Sequence, residues 1–256
     1  CLVGSEMCIR DSYYRDMLTV LSAGMTAEEI ILNGISKATK LKIFAYMQGT
    51  DLSNEWEVWV YPHSADTVKD NLKIVNGVDD IVVKRIMEGE NLVIQLDKSH
   101  IRGNMPPVFL PVYWTQFDNM GIAQTMGILC NPEHAIFDLF PTEYHTNWQW
   151  YDLLRDAHPL IFDEYGMKKC WSKDFIPTVQ VIDGWKTNRK LGVLAEARLG
   201  KGKVVITSMN LTDNLDSRIS ARQFRISLAR YMNSSDFAPK CVISPEHIYL
   251  SLIHIS

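Results

Sequence analysis

The hydrophobic period of this 256-residue chain changes after Pro62, and this change constrains the fold more than any other feature of the sequence. Residues 72–75 and residues 92–96 are two short apolar runs. Between them, apolar residues recur at helical spacing from Val78 to Ile86, and Gly89 occupies a position typical of a helix C-cap. A strand, a helix and a strand in this order form a β-α-β unit, which predicts parallel pairing through a right-handed crossover.

A hairpin is predicted upstream of this unit. Residues 41–47 and residues 55–61 both alternate between apolar and polar side chains, and residues 49–54 have the composition of a turn. The alternation predicts one buried face, formed by Leu41, Ile43, Ala45, Met47, Trp56, Val58 and Val60. Because an isolated hairpin is marginally stable in water, we interpret residues 13–63 as the remnant of a β-sandwich.

The chain after the β-α-β unit predicts a second parallel round. Residues 126–130 have the pattern of a buried strand, short helices are predicted over residues 135–140 and 148–156, and residues 160–162 are a predicted strand. From this order we expect a parallel α/β core.

The pairing is expected to become antiparallel towards the end of the chain. Residues 191–198 and 203–209 are strand-like and flank a glycine-rich turn, which predicts a hairpin. A helix follows, with one apolar stripe made of Ala221, Phe224, Leu228 and Tyr231. We therefore assign residues 64–235 to one α/β domain and residues 236–249, which contain two prolines, to a linker.

Both ends of the chain resemble translated sequencing adapter. Residues 1–12 and residues 250–256 correspond to one oligonucleotide translated in opposite directions, so we expect the natural sequence to be residues 13–249 of a longer reading frame. The cysteines that remain, Cys130, Cys170 and Cys241, are an odd and widely spaced set without a disulfide framework. A net charge of −4 is too small to suggest nucleic acid or a membrane surface as a partner.

Residues 140–150 concentrate the side chains that carry chemistry. This stretch holds four aromatic residues together with Glu143, His145 and Asn147. If the backbone is extended, these three polar side chains share one side, and Trp148 and Trp150 are free to stack on a sugar ring. In the alternative interpretation, Thr146 or Asn147 caps a helix and one of the tryptophans belongs to the core or to a domain interface.

A second polar segment, residues 183–189, lies between two predicted strands and contains Trp185, Asn188 and Arg189. Arg189 is expected to pair with Glu143 or Asp183. The pair is either a buried bidentate contact or a surface ion pair that contributes little to stability. The candidate cluster for a ligand site or an interface is therefore Glu143, His145, Asn147, Trp148, Trp150, Trp185, Asn188 and Arg189.

Cys130 ends a predicted strand, where a thiolate nucleophile with His134 or His145 as its base is one interpretation. No glycine flanks Cys130, although a nucleophile elbow requires small neighbours, so a buried structural cysteine is favoured. The histidine and carboxylate spacings match no metal-binding motif, and we predict neither a metal nor a cofactor.

Several motifs together resemble a known family. They are FLPVYW at residues 109–114, GILCNPEH at 127–134, the stretch 140–150, PTVQVID at 177–183, Trp185, TNR at 187–189 and GKGK at 200–203. With these motifs, the sequence from residue 41 to residue 231 resembles the C-terminal region of bacterial glycoside hydrolase family 2 proteins of the β-galactosidase type.

The resemblance implies a fold and a set of functions. It implies a flavodoxin-like three-layer α/β domain, similar to class I glutamine amidotransferases, with a C-terminal antiparallel hairpin. It also implies that the partial β-sandwich before this domain, residues 13–63, is immunoglobulin-like. It also implies an exported protein, periplasmic or on the cell surface. The catalytic glutamates of that family lie in a barrel domain that this sequence does not contain, so no catalytic residue is carried over.

Three functions follow as hypotheses. The first is a non-catalytic accessory part of a glycoside hydrolase that packs against neighbouring domains of the same polypeptide or forms a homo-oligomer. The second is a carbohydrate-binding module that uses the stretch 140–150 to hold a glycan. The third is a Cys130-dependent, amidotransferase-like hydrolase.

Overall fold

The structure, a computed structural model, describes residues 36–62, 70–101, 103, 105, 108, 125–163, 171, 174–184 and 187–252. The motif at residues 109–114, Cys170 and Trp185 lie outside these residues, and so does most of the segment upstream of the hairpin.

The predicted hairpin is confirmed. Strands β1 (Thr39–Tyr46) and β2 (Ser53–Val60) form an antiparallel two-stranded sheet in which Leu41 faces Val58 and Ile43 faces Trp56. The predicted buried face is wrong for the part of the chain that the structure describes, because Leu41, Trp56 and Val58 are half-buried and Ile43 is 40% exposed. Two strands alone have too little surface opposite them to bury one of their faces.

In the described residues, the remaining strands form one mixed eight-stranded sheet. They are β3 (Ile74–Asn76), β4 (Leu92–Gln95), β5 (Thr125–Cys130), β6 (Leu160–Ile161), β7 (Val179–Asp183), β8 (Leu191–Leu199), β9 (Gly202–Thr207) and β10 (Val242–Ile243). The order across the sheet is β3-β4-β9-β8-β7-β5, and β6 and β10 also pair with β8. The long strand β8 is therefore the centre of the sheet, with β6 and β7 on its first residues and β10 near its end.

Four helices accompany the strands in the described residues: α1 (Asp80–Glu88), α2 (Tyr151–Leu154), α3 (Ile219–Met232) and α4 (Pro245–Leu252). The predicted β-α-β unit is confirmed by β3, α1 and β4, since β3 and β4 pair in parallel. Asp79 caps α1 by accepting a hydrogen bond from the Val82 amide, and Gly89 ends the helix at a φ of 120°, which favours glycine.

The predicted flavodoxin-like, amidotransferase-like three-layer fold is wrong. β5 runs antiparallel to β7, and β6, β7 and β9 all run antiparallel to β8, so the second parallel round does not form. Between β5 and β6 the chain contains only two 3-10 turns and the four-residue helix α2. A crossover between parallel strands usually needs a dozen or more residues with a substantial helix, and this segment does not supply one.

Residues 236–249, which we interpreted as a linker, carry regular structure. They include β10 and the first residues of α4. β10 pairs in parallel with the end of β8, and the Arg198 amide donates a hydrogen bond to the Cys241 carbonyl at 2.8 Å. Ile243 and Ile248 are buried, so this segment packs against the sheet, and α4 continues into the residues that resemble adapter.

Two hydrophobic clusters pack on the sheet because alternate residues of its strands point to opposite faces. In β4, Val93 belongs to one cluster, whereas Leu92 and Ile94 belong to the other. The first cluster includes the apolar stripe of α3 and four aromatic residues: Phe137, Phe140, Trp150 and Phe224. The second includes α1, Ile248 of α4 and three more aromatic residues: Phe162, Trp171 and Phe175.

At Gly202 the end of α1 lies close to the sheet. A Cβ atom added there would lie 2.3 Å from the Ile86 carbonyl oxygen and 2.4 Å from that of Glu90. Both atoms are backbone, so neither moves without shifting the end of α1. We predict that Gly202→Ala lowers the free energy of unfolding by about 3 kcal/mol, measured by urea denaturation.

Gly49, in the turn between β1 and β2, provides the control. It has open space around it and a φ of 81°, so Gly49→Ala carries only the strain of a left-handed backbone, about 1 kcal/mol. An unfolding free energy for Gly202→Ala within about 0.5 kcal/mol of the wild type would contradict the close approach of α1.

Candidate functional site

The stretch 140–150 lies along the outer edge of β5. The Cys130 amide donates to the Tyr144 carbonyl at 3.0 Å, and the Ile128 amide donates to Thr146 Oγ1 at 2.7 Å. Leu129 and His145 form an isolated antiparallel bridge between these two bonds. Residues 144–146 therefore satisfy amide groups at an edge that would otherwise be open to solvent or to another chain.

Gly127 allows this approach. It adopts a φ of 99°, and a Cβ atom at this position would lie 2.6 Å from Thr146 Oγ1. Only glycine fits both conditions, the left-handed backbone and the short distance. This explains in physical terms why a glycine interrupts the apolar strand.

The two tryptophans of the stretch have different environments. Trp150 is completely buried, and its Nε1–H donates to Thr142 Oγ1 at 2.8 Å. Trp148 is 59% exposed, with its ring 6.4 Å from that of Tyr151. Asn147 caps the 3-10 turn Trp148–Trp150 by accepting a hydrogen bond from the Gln149 amide at 3.1 Å, and it is one of the two residues predicted for that role.

The polar residues of the stretch converge on Glu143. Asn147 Nδ2 donates to Glu143 Oε2 at 3.1 Å, and His145 Nε2 lies 3.7 Å from the same oxygen. The other carboxylate oxygen accepts from Lys40 Nζ of β1 at 2.5 Å. Hydrogen bonds from Lys40 and Asn147 lower the pKa of Glu143, and the bond with Glu143 raises the pKa of Lys40.

Lys40 joins the stretch to the hairpin. Its ammonium also contacts Glu57 of β2 at 3.0 Å, so one cation links carboxylates on two parts of the chain. The side chains of this cluster are about one-third exposed, and such ion pairs contribute little net stability. Lys40 was not among the predicted site residues, because an alternating strand places lysines at solvent-facing positions without indicating their partners.

Arg189 pairs with Asp183 and belongs to a separate site. Its Nε donates to Asp183 Oδ2 at 2.9 Å and its Nη2 to Oδ1 at 3.2 Å, which is the buried bidentate geometry. Burial raises the pKa of Asp183, but the hydrogen bonds from Arg189 and Thr187 outweigh this effect and lower it overall. Asn188, in the same loop, adopts a left-handed φ of 46°.

The two polar segments lie at opposite ends of β5. Asp183 is in register with Thr125 at the start of the strand, whereas Cys130, next to the Leu129–His145 bridge, ends it. Five residues of extended strand span about 16 Å. Glu143, His145 and Asn147 therefore meet at one end, while Arg189 and Asn188 lie at the other, so the predicted cluster is divided in two.

Cys130 has the environment of a structural cysteine. Its side chain is 3% exposed, its Sγ lies 3.3 Å from the Glu143 carbonyl oxygen, and burial raises the pKa of the thiol to about 12. His134 does not serve it as a base. Its Nδ1 accepts from the Ile136 amide, and its Nε2 faces Glu196 at 3.4 Å.

In the part of the chain that the structure describes, no helix is both long enough and apolar enough to cross a membrane. In the same residues, no three or more His, Cys, Asp or Glu side chains come together as a metal-binding group.

The fold and these contacts define the class of the protein: over the described ranges, it is a mixed eight-stranded sheet with helices and loops on its faces, joined to a two-stranded hairpin. The chain belongs to the family described as a domain of unknown function, DUF8487, whose model matches residues 73–252. A second domain of unknown function, DUF8488, matches residues 23–62 and includes the hairpin. No curated protein matches the sequence.

The Asp183–Arg189 pair predicts a dependence of stability on pH. A lowered folded-state pKa adds stability that is present above the unfolded pKa, about 3.9, and is lost as the pH falls through the folded value. We predict that Asp183→Asn lowers the free energy of unfolding by about 3–5 kcal/mol at pH 7, because it removes the carboxylate of a largely buried, bidentate ion pair.

Urea denaturation at pH 7 and pH 3 tests this prediction. The difference in the free energy of unfolding between the wild type and Asp183→Asn should be smaller at pH 3. Asp156→Asn is the control, since Asp156 pairs with Arg155 on the surface, and its loss should change stability by less than about 1 kcal/mol. An equal deficit of Asp183→Asn at both pH values would contradict the role of the ionised pair.

Proposed function

We propose that this chain is the non-catalytic accessory C-terminal part of a glycoside hydrolase of the β-galactosidase type. It would act by packing against neighbouring domains of the same polypeptide or by self-association. The proposal rests on one observation: the stretch 140–150 connects the sheet domain to the hairpin. Its buried aromatic side belongs to the core of the sheet domain, and its carboxylate, Glu143, is bound by Lys40 of the hairpin.

The electrostatics of the two candidate carboxylates support a non-catalytic role. Glycoside hydrolysis uses two carboxyl groups, about 5–10 Å apart, and the general acid needs a raised pKa to hold its proton at neutral pH. Glu143 and Asp183 both have a lowered pKa and both are engaged by a cation. They also lie at opposite ends of β5, so they do not face one another across a sugar-binding cleft.

The proposal is tested by assaying the purified chain on a panel of aryl β-glycosides, with Glu143→Gln and Asp183→Asn as matched variants. We expect no turnover above the uncatalysed rate in any of the three proteins. Turnover by the wild type that disappears in either variant would place a catalytic carboxylate in this chain and overturn the proposal.

A second function, glycan binding, is favoured by one observation. Tyr144 and Trp148 are both 59% exposed, although they belong to a stretch whose other two aromatic residues are buried. Exposed aromatic rings that sit on a rigid support are suited to stack on the apolar face of a sugar. In this function Glu143 and Asn147 would supply hydrogen bonds at the side of the ring.

Titration with oligosaccharides, followed by tryptophan fluorescence, separates the two functions. If the chain is an accessory packing module, its fluorescence should stay constant across the panel. A saturable change that is lost in Trp148→Ala, but kept in Tyr46→Ala on the exposed end of β1, would establish glycan binding instead.

A further inference from the structure

The two faces of the hairpin differ in chemistry. On one face, Lys40 pairs with Glu57 at 3.0 Å and Lys42 pairs with Glu55 at 3.3 Å. Lys40 also binds Glu143, so this charged face is turned towards the stretch 140–150. Successive side chains of a strand point to opposite faces, so the alternate residues lie on the other side. They form the apolar hairpin face: Leu41, Ile43, Ala45, Trp56 and Val58.

The apolar hairpin face is not part of either core of the sheet domain. Leu41 faces Val58 and Ile43 faces Trp56, so cross-strand pairs join these side chains into one continuous patch. Ile43 remains 40% exposed, and in the described residues neither hydrophobic cluster includes a residue of this face. Because a two-stranded sheet is marginally stable by itself, the face requires another segment to cover it.

The family match locates that segment. The model of DUF8488 begins at residue 23, whereas β1 begins at Thr39, so the residues between them belong to the same family unit as the hairpin. Residues 23–35 lie outside the described residues, and their sequence carries five large apolar side chains: Met25, Ile30, Ile31, Leu32 and Ile35. These side chains gain as much from burial as the apolar hairpin face does.

The sequence of this segment has the start and stop signals of a short helix. Thr26 and Glu29 have the spacing of a capping box, in which each side chain bonds to the backbone amide of the other residue. Met25 and Ile30 occupy the two positions of the hydrophobic staple that accompanies such a box. Gly34 stands where a glycine cap at the C-terminus is favoured. The pattern therefore predicts a helix over residues 27–33.

This helix has one apolar side and is within reach of the hairpin. At about 100° per residue, Ala27, Ile30 and Ile31 share one side, and Leu32 lies outside this stripe. A helix over residues 27–33 is about 10 Å long. The connecting residues 35–38 span up to about 13 Å, which is also about the distance along β1 from its first residue to Ile43. The chain can thus fold back along the apolar hairpin face.

We propose that residues 26–34 form a short helix whose stripe of Ala27, Ile30 and Ile31 packs on the apolar hairpin face. The unit matched by DUF8488 is then one helix on a two-stranded sheet, and its charged face keeps the contact with Glu143 of the sheet domain. The inference rests on the hairpin, the family boundary and the capping pattern, and it does not depend on the relation to glycoside hydrolases.

Hydrogen exchange in the full chain, compared between Ile31→Ala and Leu32→Ala, tests this packing. Both variants truncate an aliphatic side chain of the same helix, and only Ile31 belongs to the stripe. We expect Ile31→Ala to raise the exchange rates of the β1 and β2 amides at least about tenfold, because truncating a buried isoleucine is costly. Leu32→Ala should leave these rates within about twofold of the wild type. The amides of β8 should be unchanged in both variants.

A second measurement detects the contact directly. In the methyl-labelled full chain, the Ile31 methyl groups should show nuclear Overhauser contacts with the Trp56 indole. The absence of these contacts, equal effects of the two variants, or unchanged hairpin exchange in Ile31→Ala would overturn the proposal. Hairpin protection that rises with protein concentration would assign the apolar hairpin face to a second copy of the chain, and would overturn it as well.

Discussion

The burial of Trp150 is the interaction on which the join between the hairpin and the sheet depends. Its indole packs against Phe137, Phe140 and Phe224 with ring centroids 5.3–6.0 Å apart, in the edge-to-face and tilted arrangements that aromatic pairs favour. Phe140 in turn stacks on Tyr61 at the end of the hairpin. The aromatic cluster thus continues from the core of the sheet domain to the hairpin without interruption.

Burying an indole requires a partner for its N–H, and this requirement determines the course of the stretch around it. The Trp150 Nε1–H finds Thr142 within the same stretch, so the chain must turn back between these residues. That turn brings Tyr144 and Thr146 against the edge of β5 and directs Glu143 towards Lys40. The same turn of the chain therefore explains three features. They are the packing of Trp150, the pairing along the edge of β5, and the contact of Glu143 with Lys40 of the hairpin.

Local patterns in the sequence predicted the elements, but the direction in which β5 and β6 pair could not be read from them. The hairpin, the β-α-β unit with its Gly89 cap, and the Asn147 cap all depend on residues close together in the chain. The direction of β5 depends on which distant strand it pairs with. An apolar run such as residues 126–130 does not indicate that partner. Helices predicted over residues 135–140 and 148–156 made a parallel crossover plausible, but tertiary packing reduced them to 3-10 turns and a single helical turn.

The candidate site was divided for the same reason. The sequence offered Asp183 as one of two partners for Arg189, but the separation of Glu143 from Asp183 along β5 follows from the register with β7.

Native-state hydrogen exchange at Ile128 and Cys130 tests most directly whether the stretch 140–150 is a structural joint. The amides of both residues point away from β7 and are bonded only through Thr146 and Tyr144 in the described residues. If the stretch is part of the core, these two amides should exchange only through global unfolding, as slowly as those of β8. Fast exchange at both positions, with β8 still protected, would show a mobile loop that opens independently and would contradict the structural role of Trp150.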